Sequence, residues 1–114
     1  MAGARMDWQL ETSGARLIGR PIGKIDETSW ETFQTQLLAA VREAVASGAT
    51  LILDLAQLDY MSSRGLRVLK IAKDAAGPST AIILAAPNDR MRQIIEISRY
   101  DMLFKVVDDV SSAV

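Results

Sequence analysis

Leu51-Ile52-Leu53-Asp54-Leu55, followed shortly by Leu58-Asp59-Tyr60-Met61-Ser62-Ser63-Arg64-Gly65-Leu66, is the stretch on which the fold turns. The first five residues make a short, nearly continuous apolar run. Such a run reads as a central strand covered on at least one face. Ala56 to Met61 forms the exit from that strand. Ser62 suits a helix N-cap, its oxygen placed to accept from the amide of Arg64 or Gly65. Ser63 is then the first helical residue, its side chain pointing outward beside unpaired amides and the positive end of the helix dipole. Leu66, Leu69, Ala72 and Ala76 continue the helix, and Gly77-Pro78 closes it.

The same alternation extends in both directions. Upstream, Met6, Trp8 and Leu10 alternate weakly, Ser13-Gly14 signals a turn, and Ala15 to Ile18 resumes as a strand, so a hairpin is expected. Arg20-Pro21 cannot continue a central ladder, which places a bend or a sheet edge there. Thr28 followed by Glu31 has the spacing of a capping box. Trp30, Phe33, Leu37, Ala40, Val41, Ala44 and Val45 recur at helical spacing, and Ser47-Gly48 supplies the stop. Downstream, Ala81 to Ala85 is a second buried strand. Pro87-Asn88 leads a third helix through Met91, Ile94, Ile95 and Ser98. Phe104 to Val107 makes a last strand, and Asp108-Asp109 can open a short terminal helix. The order β-β-α-β-α-β-α-β predicts an α/β fold over residues 1–114. It consists of one mixed, mostly parallel sheet of four to five strands packed with three to four helices. No internal repeat, low-complexity segment or linker interrupts it.

Composition narrows the function. A chain of 114 residues suits one domain. The 49% hydrophobic and 24% charged fractions fit a globular protein and argue against disorder. Thirteen basic against fourteen acidic residues leave no excess for a nucleic-acid backbone, and there is no polybasic membrane patch. Neither cysteine nor histidine is present. Disulfides, thiol chemistry and a Ser-His-Asp triad are thereby excluded, along with the commonest metal ligand and general base. Met1 to Arg5 is followed by no apolar leader, and the longest apolar stretch, Ala81 to Pro87, is far too short to span a bilayer. These features imply a cytoplasmic protein with no cofactor and no catalytic role.

What chemistry the sequence carries is concentrated at Asp59 to Leu66, where a central strand hands over to a helix, the usual functional edge of open α/β sheets. Two serines at a helix start serve first of all as caps. A phosphate at Ser63 would meet the anion-binding end of the helix. Gly65 allows another backbone to come close, at about 1 kcal/mol of helix propensity relative to alanine. Arg64 reads first as a solvated first-turn residue and second as a phosphate ligand. No base neighbours either serine, and Gly-x-Ser-x-Gly is absent, so the pattern offers little for nucleophilic catalysis.

Leu51 to Leu55 with Leu58-Asp59-Tyr60-Met61-Ser62-Ser63-x-Gly65-Leu66-Arg67-Val68-Leu69 resembles the signature of the STAS domain family, and within it the bacterial anti-sigma factor antagonists. Gly23-Lys24-Ile25-Asp26-x-Thr28 resembles the loop before the first long helix. Ile94 to Ser98 with Leu103 to Val106 resembles the third helix and last strand. The match runs from about residue 6 to about residue 112. The resemblance implies a protein-binding switch. Such an antagonist binds an anti-sigma factor that is also a serine kinase and so frees a sigma factor. The kinase phosphorylates a serine at the start of the second helix, binding is lost, and a serine phosphatase restores it. The position matching that serine is Ser63. Ser62 stands where aspartate is frequent, Arg64 where a small residue is usual, and Arg99 where glycine is frequent.

The resemblance also marks Asp26 as an acidic position near the acceptor serine, able to contact the partner or simply to shape its loop. Ser62, Arg64, Gly65 and Arg67 complete the expected partner-binding set. Arg67 and Lys70 fall on the exposed side of the second helix, as a solvated face or as part of the partner surface. Met61 is expected in the core, Asp59 in a turn, and Trp8 and Trp30 packed. The alternative is a STAS subunit of a larger assembly, such as a lipid-transport complex or signalling scaffold, in which Ser63 is never modified.

Overall fold

The computed structural model describes residues 6–113, so the leaderless start read from Met1 to Arg5 lies outside the described residues, as does Val114. β1 (Met6–Ser13) and β2 (Arg16–Ile25) form the expected antiparallel hairpin. There follow α1 (Trp30–Ser47), β3 (Thr50–Asp54), β4 (Leu58–Met61), α2 (Ser63–Ala76), β5 (Ile82–Ala85), α3 (Asp89–Ile97) and β6 (Lys105–Val107). Short 3-10 turns occupy Tyr100–Met102 and Val110–Ser112. The sheet order is β1-β2-β3-β5-β6, with β4 also paired to β2. Every pairing except β1 with β2 is parallel. This is the expected mixed, mostly parallel α/β sheet with three α-helices, but it has six strands rather than four to five.

The additional strand is β4, in the segment read as a plain exit from β3. Leu58 and Met61 are both fully buried although three residues apart, which breaks the alternation by which a strand is recognised. The register explains it. Gly23 pairs with Leu58 and Lys24 with Tyr60, leaving Asp59 as an extra residue in a bulge. The bulge returns both apolar side chains to the same face.

Pro21 also departs from expectation. It lies neither at an edge nor at a bend that ends the strand, because β2 runs through it to Ile25, with β1 alongside from Arg16 to Gly23. On its other side β2 pairs with β3 only over Arg16 to Gly19, and with β4 only from Gly23. The Gly23 amide donates toward that second side, to Gln57 O at 3.0 Å. Amides two apart along a strand point the same way, so the donor that Pro21 lacks belongs to the gap between two partners. Proline is tolerated because no ladder bond was to be made there.

α1 buries Phe33, Leu37, Ala40, Val41 and Ala44, as its periodicity predicts, while Val45 at the end of the stripe remains 48% exposed. Gly48 ends the helix in the left-handed region with φ 73°, returning its amide to Ala44 O. The capping box is not formed. The helix starts at Trp30 behind Ser29, and Thr28 Oγ1 donates instead to Asp26 Oδ1 at 2.7 Å. α3 does carry a side-chain cap: Asn88 accepts from the Met91 amide at 2.8 Å.

All three helices pack on one face of the sheet, over Leu17, Leu51, Leu53 and Leu84. Trp8 crosses this layer beside Gly19 and meets Phe33 edge-on at 6.3 Å between ring centroids. The opposite face carries Ile18, Ile52, Ile83 and Ala85, covered by Val110 and Ala113 from the end of the chain. Among the described residues, no helix is long and apolar enough to cross a membrane.

Candidate functional site

β2 and β4 are parallel, so they end at the same edge of the sheet, and the two loops that leave them lie side by side. Ile25 pairs with Met61, and the Ser62 amide donates to Ile25 O at 2.8 Å. This brings together Asp26, where the chain enters α1, and Ser62-Ser63, where it enters α2.

Asp26 shapes its own loop. Its Oδ1 accepts from the Thr28 amide at 2.9 Å as well as from the Thr28 hydroxyl. Ser29, the buried polar residue of this loop, donates from Oγ to Lys24 O at 2.8 Å and accepts from the Asp26 amide at 3.0 Å. These bonds fold the chain over the end of β2 and set α1 beside α2.

Ser62 occupies the N-cap position of α2 with extended backbone, as expected. Its side chain does not make the expected bond to Arg64 or Gly65: Oγ is buried and unpartnered among the described residues. Its carbonyl accepts from the Leu66 amide at 3.0 Å. Ser63 follows as the first helical residue and is exposed. Gly65 is buried, within the first turn. A Cβ there would run into Met61 Cγ and would lie 2.8 Å from Ile25 Cγ2. The close approach that glycine permits is thus made by side chains of β2 and β4, not by another backbone. It draws the start of α2 down onto the sheet.

Arg64 ties the two loops together from outside. Its Nε lies 3.0 Å from Glu27 Oε1, and its guanidinium lies 5.1 Å from the centroid of the Trp30 ring. Both partners of the ion pair are more than half exposed, which limits it to about 0.2–1 kcal/mol. Arg67 and Lys70 are exposed along the same helix, and neither forms an ion pair with another described residue. Ser63, Arg64, Arg67 and Lys70 all line an open groove of about 740 Å³, with Trp30 and Tyr100 among its walls. Burial pushes the Tyr100 phenol pKa up, so it stays protonated through neutral pH. Among the described residues, no three acidic side chains converge as a metal cage.

Sequence reading therefore placed Ser62, Ser63, Arg64 and Arg67 at one helix start, and the structure sets the Asp26 loop against it. It missed Glu27 and Tyr100, and it assigned Trp30 to packing alone, whereas Trp30 is a half-buried wall of the groove. No local signal marks Glu27 or Tyr100, because Glu27 meets Arg64 and Tyr100 reaches the groove only through pairing of distant segments. Asp59 sits in the β4 bulge, and Tyr60 lies under the Arg90 guanidinium at 5.8 Å.

The STAS domain family model matches residues 7–113. A relative from Bordetella bronchiseptica, BtrV, whose name marks it as a candidate anti-sigma factor antagonist, is 30% identical over 92 residues, covering 80% of this chain and 77% of its own. The crystal structure of an anti-sigma factor antagonist from Mycobacterium paratuberculosis superposes with a TM-score of 0.81 at 20% identity, over 95% of this chain and 90% of that one. The Bacillus cell fate determinant SpoIIAA in its phosphorylated form superposes with a TM-score of 0.62 at 22% identity, over 88% and 90%. At these identities the two structures speak for the fold. Together with the family match across nearly the whole sheet and all three helices, the observations establish that this chain belongs to the STAS domain family.

Proposed function

We propose that this protein is an anti-sigma factor antagonist whose binding surface is the start of α2 together with the Asp26 loop. Its partner is an anti-sigma factor that is also a serine kinase. Phosphorylation of Ser63 ends the association, and a serine phosphatase restores it. The carrying observation is that Ser63 stands exposed at the head of α2, on the edge where β2 and β4 end, in a chain 30% identical to a protein named for this role. Asp26, Ser62, Arg64 and Arg67 surround the acceptor, while Gly65 acts from beneath by seating the helix. The protein itself supplies a hydroxyl and a surface; the kinase supplies the catalysis. This reading places the protein in the cytoplasm, where sigma factors work.

The energetics suffice. A phosphoserine adds roughly −1.5 to −2 charges at neutral pH. A hundredfold loss of affinity takes about 2.8 kcal/mol, and a misplaced charge in an interface costs several kcal/mol. The test is phosphorylation by the cognate kinase with MgATP. Wild type should gain one phosphate and Ser63→Ala none, and Ser63→Asp should bind the partner at least tenfold more weakly. Phosphate on Ser62 would overturn the site, and undiminished affinity of Ser63→Asp would overturn the switch. A protein recovered only in an obligate multi-subunit complex, with Ser63 always unmodified, would instead identify a permanent STAS subunit.

A further inference from the structure

Arg64 and Arg67 are arranged as more than a solvated face. Arg67 lies one helical turn beyond Ser63, and residues four apart on a helix are surface neighbours with Cβ atoms about 5–6 Å apart. Helical side chains lean toward the N-terminus, so Arg67 leans back over the turn that begins with Ser63. Both residues line the same groove, and Arg67 has no ion-pair partner among the described residues. Arg64, immediately after Ser63, is held on the other side by Glu27 and the Trp30 ring. Its ion pair with Glu27 is an exposed single contact through Nε, which leaves the other guanidinium donors available.

We infer that Arg64 and Arg67 form an anion site whose ligand is a phosphomonoester on Ser63 of the same chain. This rests on the proposed phosphorylation and adds how the modified state is held. The phosphate carries about twice the charge of the Glu27 carboxylate and three acceptor oxygens. It therefore draws Arg64 away from Glu27 while Arg67 closes from the next turn. Charge-assisted bonds of this kind are short and geometrically specific, and arginine suits them better than lysine. Phosphorylation then does two things at once: it places a negative charge at the head of α2, and it withdraws two cations from the groove. Lys70, a turn further on, remains outside the cluster. Glu27, freed of its partner, becomes an uncompensated surface carboxylate beside the Asp26 loop.

The experiment installs phosphoserine at position 63 during translation, so no kinase is required, and follows the 31P resonance with pH. The free phosphomonoester has its second pKa near 6. In the full chain it should titrate about half a unit to one unit lower, the reduction expected of an opposite charge nearby once exposure to solvent is allowed for. Arg67→Gln and Arg64→Gln should each return part of that shift, and the double variant most of it. Glu27→Gln should leave it nearly unchanged, because Arg64 has already left Glu27. All three substitutions lie at exposed positions, and the circular dichroism of each variant checks that it folds. Equal pKa values in the phosphorylated parent and the double variant would overturn the inference, since the helix terminus alone would then account for the shift. A large effect of Glu27→Gln would overturn the exchange of partners. Failure of any kinase to modify Ser63 would defeat the proposed function without altering this titration. A working kinase switch with an unresponsive titration would leave simple repulsion as its mechanism.

Discussion

Gly65 and Arg99 show how differently single residues carry this fold. At Gly65 the requirement is space, because Met61 and Ile25 fill the volume a side chain would take. Overpacking of this sort costs about 1–3 kcal/mol, and alanine recovers up to about 1 kcal/mol of helix propensity. Gly65→Ala should therefore lower stability by about 1–2 kcal/mol, seen as a lower urea midpoint at unchanged slope. At Arg99 the requirement is backbone conformation. With φ 65° and ψ 22° it lies in the left-handed region between α3 and the following 3-10 turn. That conformation costs a non-glycine residue about 1–2 kcal/mol, while glycine gives back about 0.4–1 kcal/mol through a more disordered unfolded chain. Arg99→Gly should thus stabilise the protein by about 0.5–1 kcal/mol, read as a rise in Tm. The sequence had already singled out Arg99, since a position that favours glycine in a family is one where the backbone needs it. Ala86, also at positive φ with 58°, carried no such signal.

At the scale of the element, the head of α2 is the part that departs from ordinary rules. A serine N-cap is normally worth about 1 kcal/mol because its oxygen satisfies an orphan amide. Here Ser62 Oγ makes no such bond and is buried without a partner among the described residues, which carries its own desolvation cost. Ser62→Ala should leave stability unchanged or raise it, where a working cap would lose about 1 kcal/mol; a chemical denaturation curve distinguishes the two. The helix is held by other means, through the Ser62 amide bond to Ile25 O and the seating of Gly65 on Met61. Its first turn, Ser63 and Arg64, takes no part in capping and stays exposed. α1 shows the same pattern, since its head is fixed by the Asp26 and Ser29 loop bonds rather than by the expected capping box.

Across the whole molecule the two faces of the sheet are covered unequally. The helices bury one face, while the end of the chain closes the other, with Val110 and Ala113 over Ile18, Ile52 and Ile83. Arg16 Nη1 holds this cover by donating to Val110 O at 3.3 Å and to Ala113 O at 3.5 Å. Asp109 shapes it, its Oδ1 accepting from the Ser111 hydroxyl, the Ser112 amide and the Ser112 hydroxyl at 2.7–2.8 Å. These bonds, led by the Ser111 hydroxyl, hold the Asp109 carboxyl below its ordinary value of 3.8. A depressed carboxyl pKa means stability that is complete above pH 3.8 and lost as pH falls through the lower folded value. Acidification should accordingly loosen the cover and uncover the isoleucine face before the helical layer opens. Amide exchange in β5 and β6 should rise while that of α1 stays protected, and Asp109→Ala should show the looser cover already at neutral pH. Simultaneous loss of protection in both regions would contradict this order.

The sequence by itself determined the order of the helices and of every strand but β4, the mixed sheet, the Gly48 stop and the serine pair at the head of the second helix. These are written in patterns only a few residues long: apolar periodicity, turn residues and caps act within one or two turns of chain. Tertiary structure alone decided the rest. β4 became a strand because a bulge at Asp59 and the edge of β2 restored the facing of Leu58 and Met61, which alternation in sequence denies. Pro21 became an interior residue because the ladder changes partner at that point. Arg64 met Glu27 and Trp30 because parallel pairing brought two distant loops to one edge. Each of these depends on which remote segment lies alongside, and that choice is made by burial across the whole sheet, not by the residues nearest in the chain.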